Sequence, residues 1–92
     1  MTRTILIAAT DPNIIYLLQR YAEESGFQTV RCGDEKDLLR LARQVQPVLV
    51  ILQIDPPEAL WRPSLLCLKA DPLTRTIPVV GYSCFDEIIS SQ

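Results

Sequence analysis

The sequence predicts an α/β domain built on a doubly wound parallel sheet, and three observations predict it. Val48-Leu49-Val50-Ile51-Leu52 is a run of five apolar residues rich in Val and Ile, the composition of a strand buried on both faces. Strand-like and helix-like patterns alternate along the whole chain, with no linker and no internal repeat. The connections between them are short, which favours parallel strands joined by right-handed helical crossovers.

Each element has its own signal. Ile5-Leu6-Ile7-Ala8-Ala9 reads as the first buried strand. Asp11-Pro12 opens a helix, with Asp11 as N-cap and Pro12 at the first helical position, where a missing N–H costs nothing. Ile14, Leu17, Leu18, Tyr21 and Ala22 recur at helical spacing, and Gly26 suits the residue after the cap. Phe27 to Arg31 alternates like a less buried edge strand. Asp34 is placed to cap a second helix, whose Leu38, Leu41, Ala42 and Val45 form one stripe before Pro47 stops it. The central strand follows and ends at Gln53, Ile54 and a Pro56-Pro57 turn. A third helix runs through Leu65, Leu66 and Leu68 and breaks at Ala70-Asp71-Pro72. Ile77 to Tyr82 is the fourth strand, with Pro78 tolerated near its start. Ser83 is placed to cap a short last helix with Asp86 and Glu87 in its first turn, which suits the helix dipole.

Composition narrows the function. Ninety-two residues, 48% of them hydrophobic, suffice for one core, though so short a chain buries only about 60–65% of its unfolded surface. A net charge of −2 offers no basic footprint for nucleic acid. No run of 18 apolar residues suggests a membrane span, and Ile5 to Ala9 is too short for a signal peptide's apolar region. The absence of histidine removes the commonest general base near neutral pH. Three glycines build no phosphate-cradling loop. Cys32, Cys67 and Cys84 are odd in number and unpaired in spacing, and read as reduced packing residues of a cytoplasmic protein. Lys36, Arg40 and Arg43 read as a solvated helix face.

Several segments in order resemble the bacterial response-regulator receiver domain. These are Ile5-Leu6-Ile7, Thr10 to Ile14, Leu49-Val50-Ile51-Leu52, Pro56-Pro57, Leu68-Lys69-Ala70-Asp71-Pro72 and Ile77-Pro78-Val79-Val80. The resemblance runs from about residue 4 to the end of the chain. It implies a flavodoxin-like sheet of strand order 2-1-3-4, here lacking the usual fifth strand and last helix, so that residues 1–92 form one receiver-like domain ending after its fourth βα unit.

The departures from the family carry the functional expectation. Receivers hold Mg²⁺ with two adjacent carboxylates after the first strand, and those positions here are Ala9 and Thr10. The family's phosphorylated aspartate falls on Gln53 and its switch hydroxyl on Ser83. Phosphoryl transfer needs a carboxylate acceptor and a cation to neutralise developing charge. Ala9, Thr10 and Gln53 supply neither, so the resemblance implies a degenerate, non-enzymatic pseudo-receiver with no metal and no cofactor.

Plainer roles compete at each position. Gln53 reads as a structural plug bonded to Thr10 or nearby loop backbone, since buried polar groups need partners. Asp11 and Asp55 suit either a relocated cation site or a helix cap and a turn. Ser83 is either the switch or a cap. Trp61 is either an interface anchor or a lid over the site loop.

The expected function is a phosphorylation-independent module for protein–protein contact in bacterial two-component or phosphorelay signalling, without nucleic-acid or membrane contact. A fourth strand followed only by a short helix would leave one edge unpaired. A homodimer or heteromer is therefore expected through Ile77, Val79, Val80 and Tyr82 of that strand, Phe85, Ile88 and Ile89 of the last helix, and Trp61. Two alternatives stand: the N-terminal fragment of a longer regulator with a separate output domain, or a small ligand-binding or thiol-sensing domain using the emptied pocket or Cys84.

Overall fold

A computed structural model describes residues 3–33, 35–53, 62–82 and 88–91. In chain order the elements are β1 (Thr4–Ala8), α1 (Pro12–Glu24), β2 (Gln28–Cys32), α2 (Glu35–Val45), β3 (Leu49–Gln53), α3 (Arg62–Ala70), β4 (Val79–Tyr82) and β5 (Ile88–Ser91). They form one five-stranded sheet of order β2-β1-β3-β4-β5. The first four strands are parallel in the order 2-1-3-4, which is the flavodoxin-like arrangement expected. β1 and β3 lie inside the sheet, with Ile5 opposite Leu49 and Ala8 opposite Leu52, so their carboxyl ends are level.

The caps explain where α1 starts and stops. The Asp11 carboxylate accepts a hydrogen bond from the Asn13 backbone N–H at 2.9 Å, and Pro12 takes the first helical position. At the other end Gly26 adopts a left-handed φ of 88°. There Phe27 N–H reaches Ala22 C=O and Gly26 N–H reaches Glu23 C=O, satisfying carbonyls the helix leaves over. The buried stripe of α1 is Ile14, Ile15 and Ala22 with half-buried Leu18. Leu17 and Tyr21, expected on that stripe, are instead exposed.

Two apolar layers sandwich the sheet. Leu6, Ala8, Val50, Leu52 and Val79 face α2 and α3, where Leu38, Ala42, Leu68 and Ile77 complete the core. Ile5, Ile7 and Ala9 face α1, with Leu49 and Ile51 at the margin of that cluster. The α2 stripe is as expected, with Leu38 and Ala42 buried and Leu41 packed beside them. Arg43 is not simply part of a solvated face. Its Nε and Nη2 both donate to Asp71, which is buried in the turn after α3. The other Asp71 oxygen accepts from Leu73 N–H at 2.8 Å, and buried Thr74 donates its hydroxyl to Leu68 C=O at 2.6 Å. These bonds tie α2, the end of α3 and the approach to β4 together.

The C-terminal segment corrects the sequence reading. Residues Ile88–Ser91, expected within a last helix, form β5 and pair antiparallel with β4, Val79 opposite Ser91 and Tyr82 opposite Ile88. The sheet therefore has a fifth strand, and β4 has no open edge. Adjacent Ile88 and Ile89 are β-branched and fit a strand better than a one-turn helix, and β4 offered a ladder of unpaired backbone groups to satisfy. Ile77 and Val79, expected at an interface, are buried in the core on the α2–α3 side. Ser83 and Phe85, the expected cap Asp34, and Asp55 and Trp61 lie outside the described residues.

Candidate functional site

In open α/β sheets the site lies beyond the carboxyl ends of the strands, beside the point where strand order reverses. Here that point is between β1 and β3, and the residues gathered there are Ala9, Thr10, Asp11 and Gln53. The sheet register brings them together: Ala8 pairs with Leu52, so Ala9 and Gln53 emerge side by side. Ala9 is buried among the apolar residues under α1, Thr10 is exposed, and Asp11 and Gln53 are half-buried.

One side chain organises this corner. Gln53 Oε1 accepts hydrogen bonds from the backbone N–H groups of Thr10, at 2.9 Å, and Asp11, at 3.2 Å. Both donors precede the first turn of α1, where backbone N–H groups lack helical partners and favour an electronegative group. A neutral amide oxygen fills that role without adding charge. The arrangement is that of a plug joining β3 to the loop between β1 and α1.

The chemistry available is correspondingly small. Ala9 offers a methyl group and Thr10 a hydroxyl, and neither is a carboxylate ligand for a hard cation. Asp11 is the acid that the described residues place at this corner, and one of its oxygens is engaged in capping α1. Among the described residues no group of three or more acids, cysteines or histidines is placed to hold a metal ion. The suggested pairing of Asp11 with Asp55 falls outside the described residues at Asp55, as does Ser83. Cys32 is buried and Cys67 exposed, while Cys84 lies outside the described residues.

Sequence reasoning missed the ion pair of Arg43 and Asp71. Arg43 holds the Asp71 carboxyl below the usual range by hydrogen bonding, with help from the Leu73 N–H. Asp71-Pro72 signals only the local part of this arrangement, the bond from Leu73 N–H, since an acid at a helix end accepts from backbone two residues on; Arg43, 28 residues away, has no local signal.

Fold and site together define a class, the flavodoxin-like α/β domain with its functional corner beyond the first and third strands. Comparison with known proteins takes the identification further. No protein-family model matches the chain. It is 31% identical over 85 residues to the polar-differentiation response regulator DivK of Brucella ovis, a match covering 92% of this chain and 69% of that protein. The DivK of Brucella anthropi is 29% identical over the same length. Among solved structures, the N-terminal domain of a response regulator receiver protein from Methanoculleus marisnigri matches with a TM-score of 0.73 and 30% identity. That match covers 85% of this chain and 63% of that one, so the chain spans less than two thirds of that domain. A response regulator from Desulfuromonas acetoxidans shares the fold, with a TM-score of 0.75 at 23% identity over 95% of this chain and 70% of the other. The chain belongs to the response-regulator receiver family.

Among the described residues no helix is long and apolar enough to cross a membrane.

Proposed function

We propose that this chain is a pseudo-receiver: a member of the receiver family that works through protein contacts in a signalling pathway and accepts no phosphoryl group. The observation that carries this reading is the state of Gln53. It occupies the position that the family resemblance assigns to the phosphorylated aspartate, and its oxygen is bonded to Thr10 and Asp11 N–H. An amide there is a poor nucleophile and brings no charge to bind a cation. Ala9 and Thr10, at the positions of the family's metal-binding pair, add no carboxylate. Without a cation and an acceptor carboxylate, the transferring phosphoryl group's charge has nothing to neutralise it.

With the reaction gone, the domain's remaining asset is its surface. Its contacts are with protein, either a second copy or another member of the pathway. The net charge of −2 supports the absence of nucleic-acid contact, and composition supports a cytoplasmic setting. Residues 1–92 act as one receiver-like domain in this reading, without enzymatic activity of their own.

The test is a titration of the protein with Mg²⁺ and beryllofluoride, followed by backbone amide resonances. The Thr10 and Asp11 signals should stay in place, because Gln53 provides no carboxylate to coordinate beryllium. Saturable, Mg²⁺-dependent shifts at those amides would show a working acceptor site and end the pseudo-receiver reading.

A further inference from the structure

Residues 71–78 join α3 to β4 at the amino ends of the strands, the opposite end of the sheet from Gln53. Asp71, Thr74 and Ile77 are buried, while Pro72, Leu73, Arg75, Thr76 and Pro78 are exposed. The segment bonds largely to itself. Thr74 and Arg75 N–H both reach Asp71 C=O, at 3.1 and 2.8 Å, and Ile77 N–H reaches Thr74 C=O at 3.0 Å. It is a compact strap across one end of the core, where Leu68 of α3 and the strap's own Ile77 join the cluster under α2.

Side chains from two helices and from the strap itself pin it in place. Thr74 donates its hydroxyl to Leu68 C=O, Lys69 Nζ donates to Ile77 C=O at 3.2 Å, and Arg43 of α2 donates from Nε and Nη2 to one oxygen of Asp71. These pins are not equivalent. Losing Thr74 Oγ1 or Lys69 Nζ leaves a neutral carbonyl short of a donor, which is the smaller cost. Losing the guanidinium strands a carboxylate: the Asp71 side chain is 6% exposed, and the Leu73 N–H on its other oxygen does not balance the charge. Removing one partner of a buried ion pair is strongly destabilising for that reason. Arg43 has no such difficulty, since its own side chain is 51% exposed.

The cheapest relief for a stranded Asp71 is local. Segments that bury few apolar side chains open at a free energy below that of global unfolding. Most of the strap is already exposed, so lifting Asp71 into water gives up the burial of Thr74 and Ile77 and leaves the β3–β4 ladder, from Val50 opposite Val79 to Gln53 opposite Tyr82, in place. We infer that residues 71–78 are a strap latched by Arg43. The guanidinium holds the strap closed, and its withdrawal from Asp71 opens the Leu68–Ile77 end of the core without unfolding the sheet. Because the latch spans α2 and the α3–β4 connection, any shift of α2 that withdraws Arg43 is transmitted to the approach to β4. The strap and Gln53 lie at opposite ends of the strands, so failure of this inference would leave the phosphorylation tests untouched.

Arg43→Met keeps an apolar stem at that position and removes the guanidinium. In the full chain, native-state amide exchange should then accelerate by about tenfold or more at Thr74, Arg75 and Ile77, and much less at Leu6 and Val50. Trypsin under native conditions should cut after Arg75 in this variant and spare that bond in the parent, because cleavage follows the open population. Adding Asp71→Asn to Arg43→Met removes the stranded charge and should return both readouts most of the way to the parent values. Simple loss of a contact gives no such recovery. Equal acceleration at Leu6 and Val50, or a variant that fails to fold, would mean that the pair holds the whole domain and would overturn the inference. So would unchanged exchange in Arg43→Met, or a double variant as open as the single one.

Discussion

Replacing Gln53 with alanine removes a side chain that bridges β3 to the start of α1. Two hydrogen bonds are lost, from Thr10 N–H at 2.9 Å and Asp11 N–H at 3.2 Å. A hydrogen bond of this kind contributes about 0.5–1.5 kcal/mol net. Thr10 is exposed, so water replaces its bond cheaply, while half-buried Asp11 recovers less. The total expected loss is about 1–2 kcal/mol. For a domain of this size each kcal/mol lowers the melting temperature by about 4–8 °C. Urea denaturation followed by circular dichroism measures the loss, and amide exchange at Thr10 and Asp11 should accelerate while that of Leu6 and Val50 follows the global stability alone. Gln53→Glu is the matched control. Its carboxylate accepts the same two N–H groups beside the helix N-terminus, so it should keep most of what alanine loses. If Gln53→Ala were as stable as the parent, the amide would not be a plug, and the reasoning from its hydrogen bonds would fail.

Three further outcomes follow from the fold. Thr74→Val keeps the buried shape but removes the hydroxyl that bonds Leu68 C=O at 2.6 Å, and should cost about 1–2 kcal/mol in urea unfolding. Gln46 holds a left-handed φ of 50° after α2, so Gln46→Gly should stabilise the domain by about 1 kcal/mol, read as a higher melting temperature. Asp71 is held below its ordinary carboxyl range by Arg43, so its contribution is complete above the unfolded carboxyl value near pH 4 and is lost as pH falls through the lower folded value. Asp71→Asn should lower stability at pH 7 and flatten the acid limb of the stability–pH curve, measured by melting temperature between pH 2 and 7.

Much of the fold was legible because the deciding signals were local. Asp11-Pro12 and Gly26 mark the ends of α1, and the apolar run at Val48–Leu52 marks a strand that pairs on both sides. The end of the chain was not legible, because Ser83, Asp86 and Glu87 resemble a helix start while the adjacent edge of β4 rewards a strand. That choice is made by the ladder, which is a tertiary interaction. The same holds for Leu17 and Tyr21: helical periodicity places them near the buried stripe, and only the position of α1 over β1 and β2 leaves them exposed. The site positions Ala9, Thr10 and Gln53 came from family resemblance and the rule that strand ends carry sites. Their hydrogen bonding follows from the register that sets β1 and β3 level. The bond of Arg43 to Asp71 joins residues 28 apart through the packing of α2 near α3, which no local pattern specifies.

Incubation of the purified chain with acetyl phosphate and Mg²⁺, read by intact-protein mass, tests most directly whether the receiver fold has been kept without its chemistry. With Ala9, Thr10 and Gln53 at the acidic and acceptor positions, the mass should remain that of the unmodified chain. A Mg²⁺-dependent gain of one phosphoryl group would contradict the pseudo-receiver assignment.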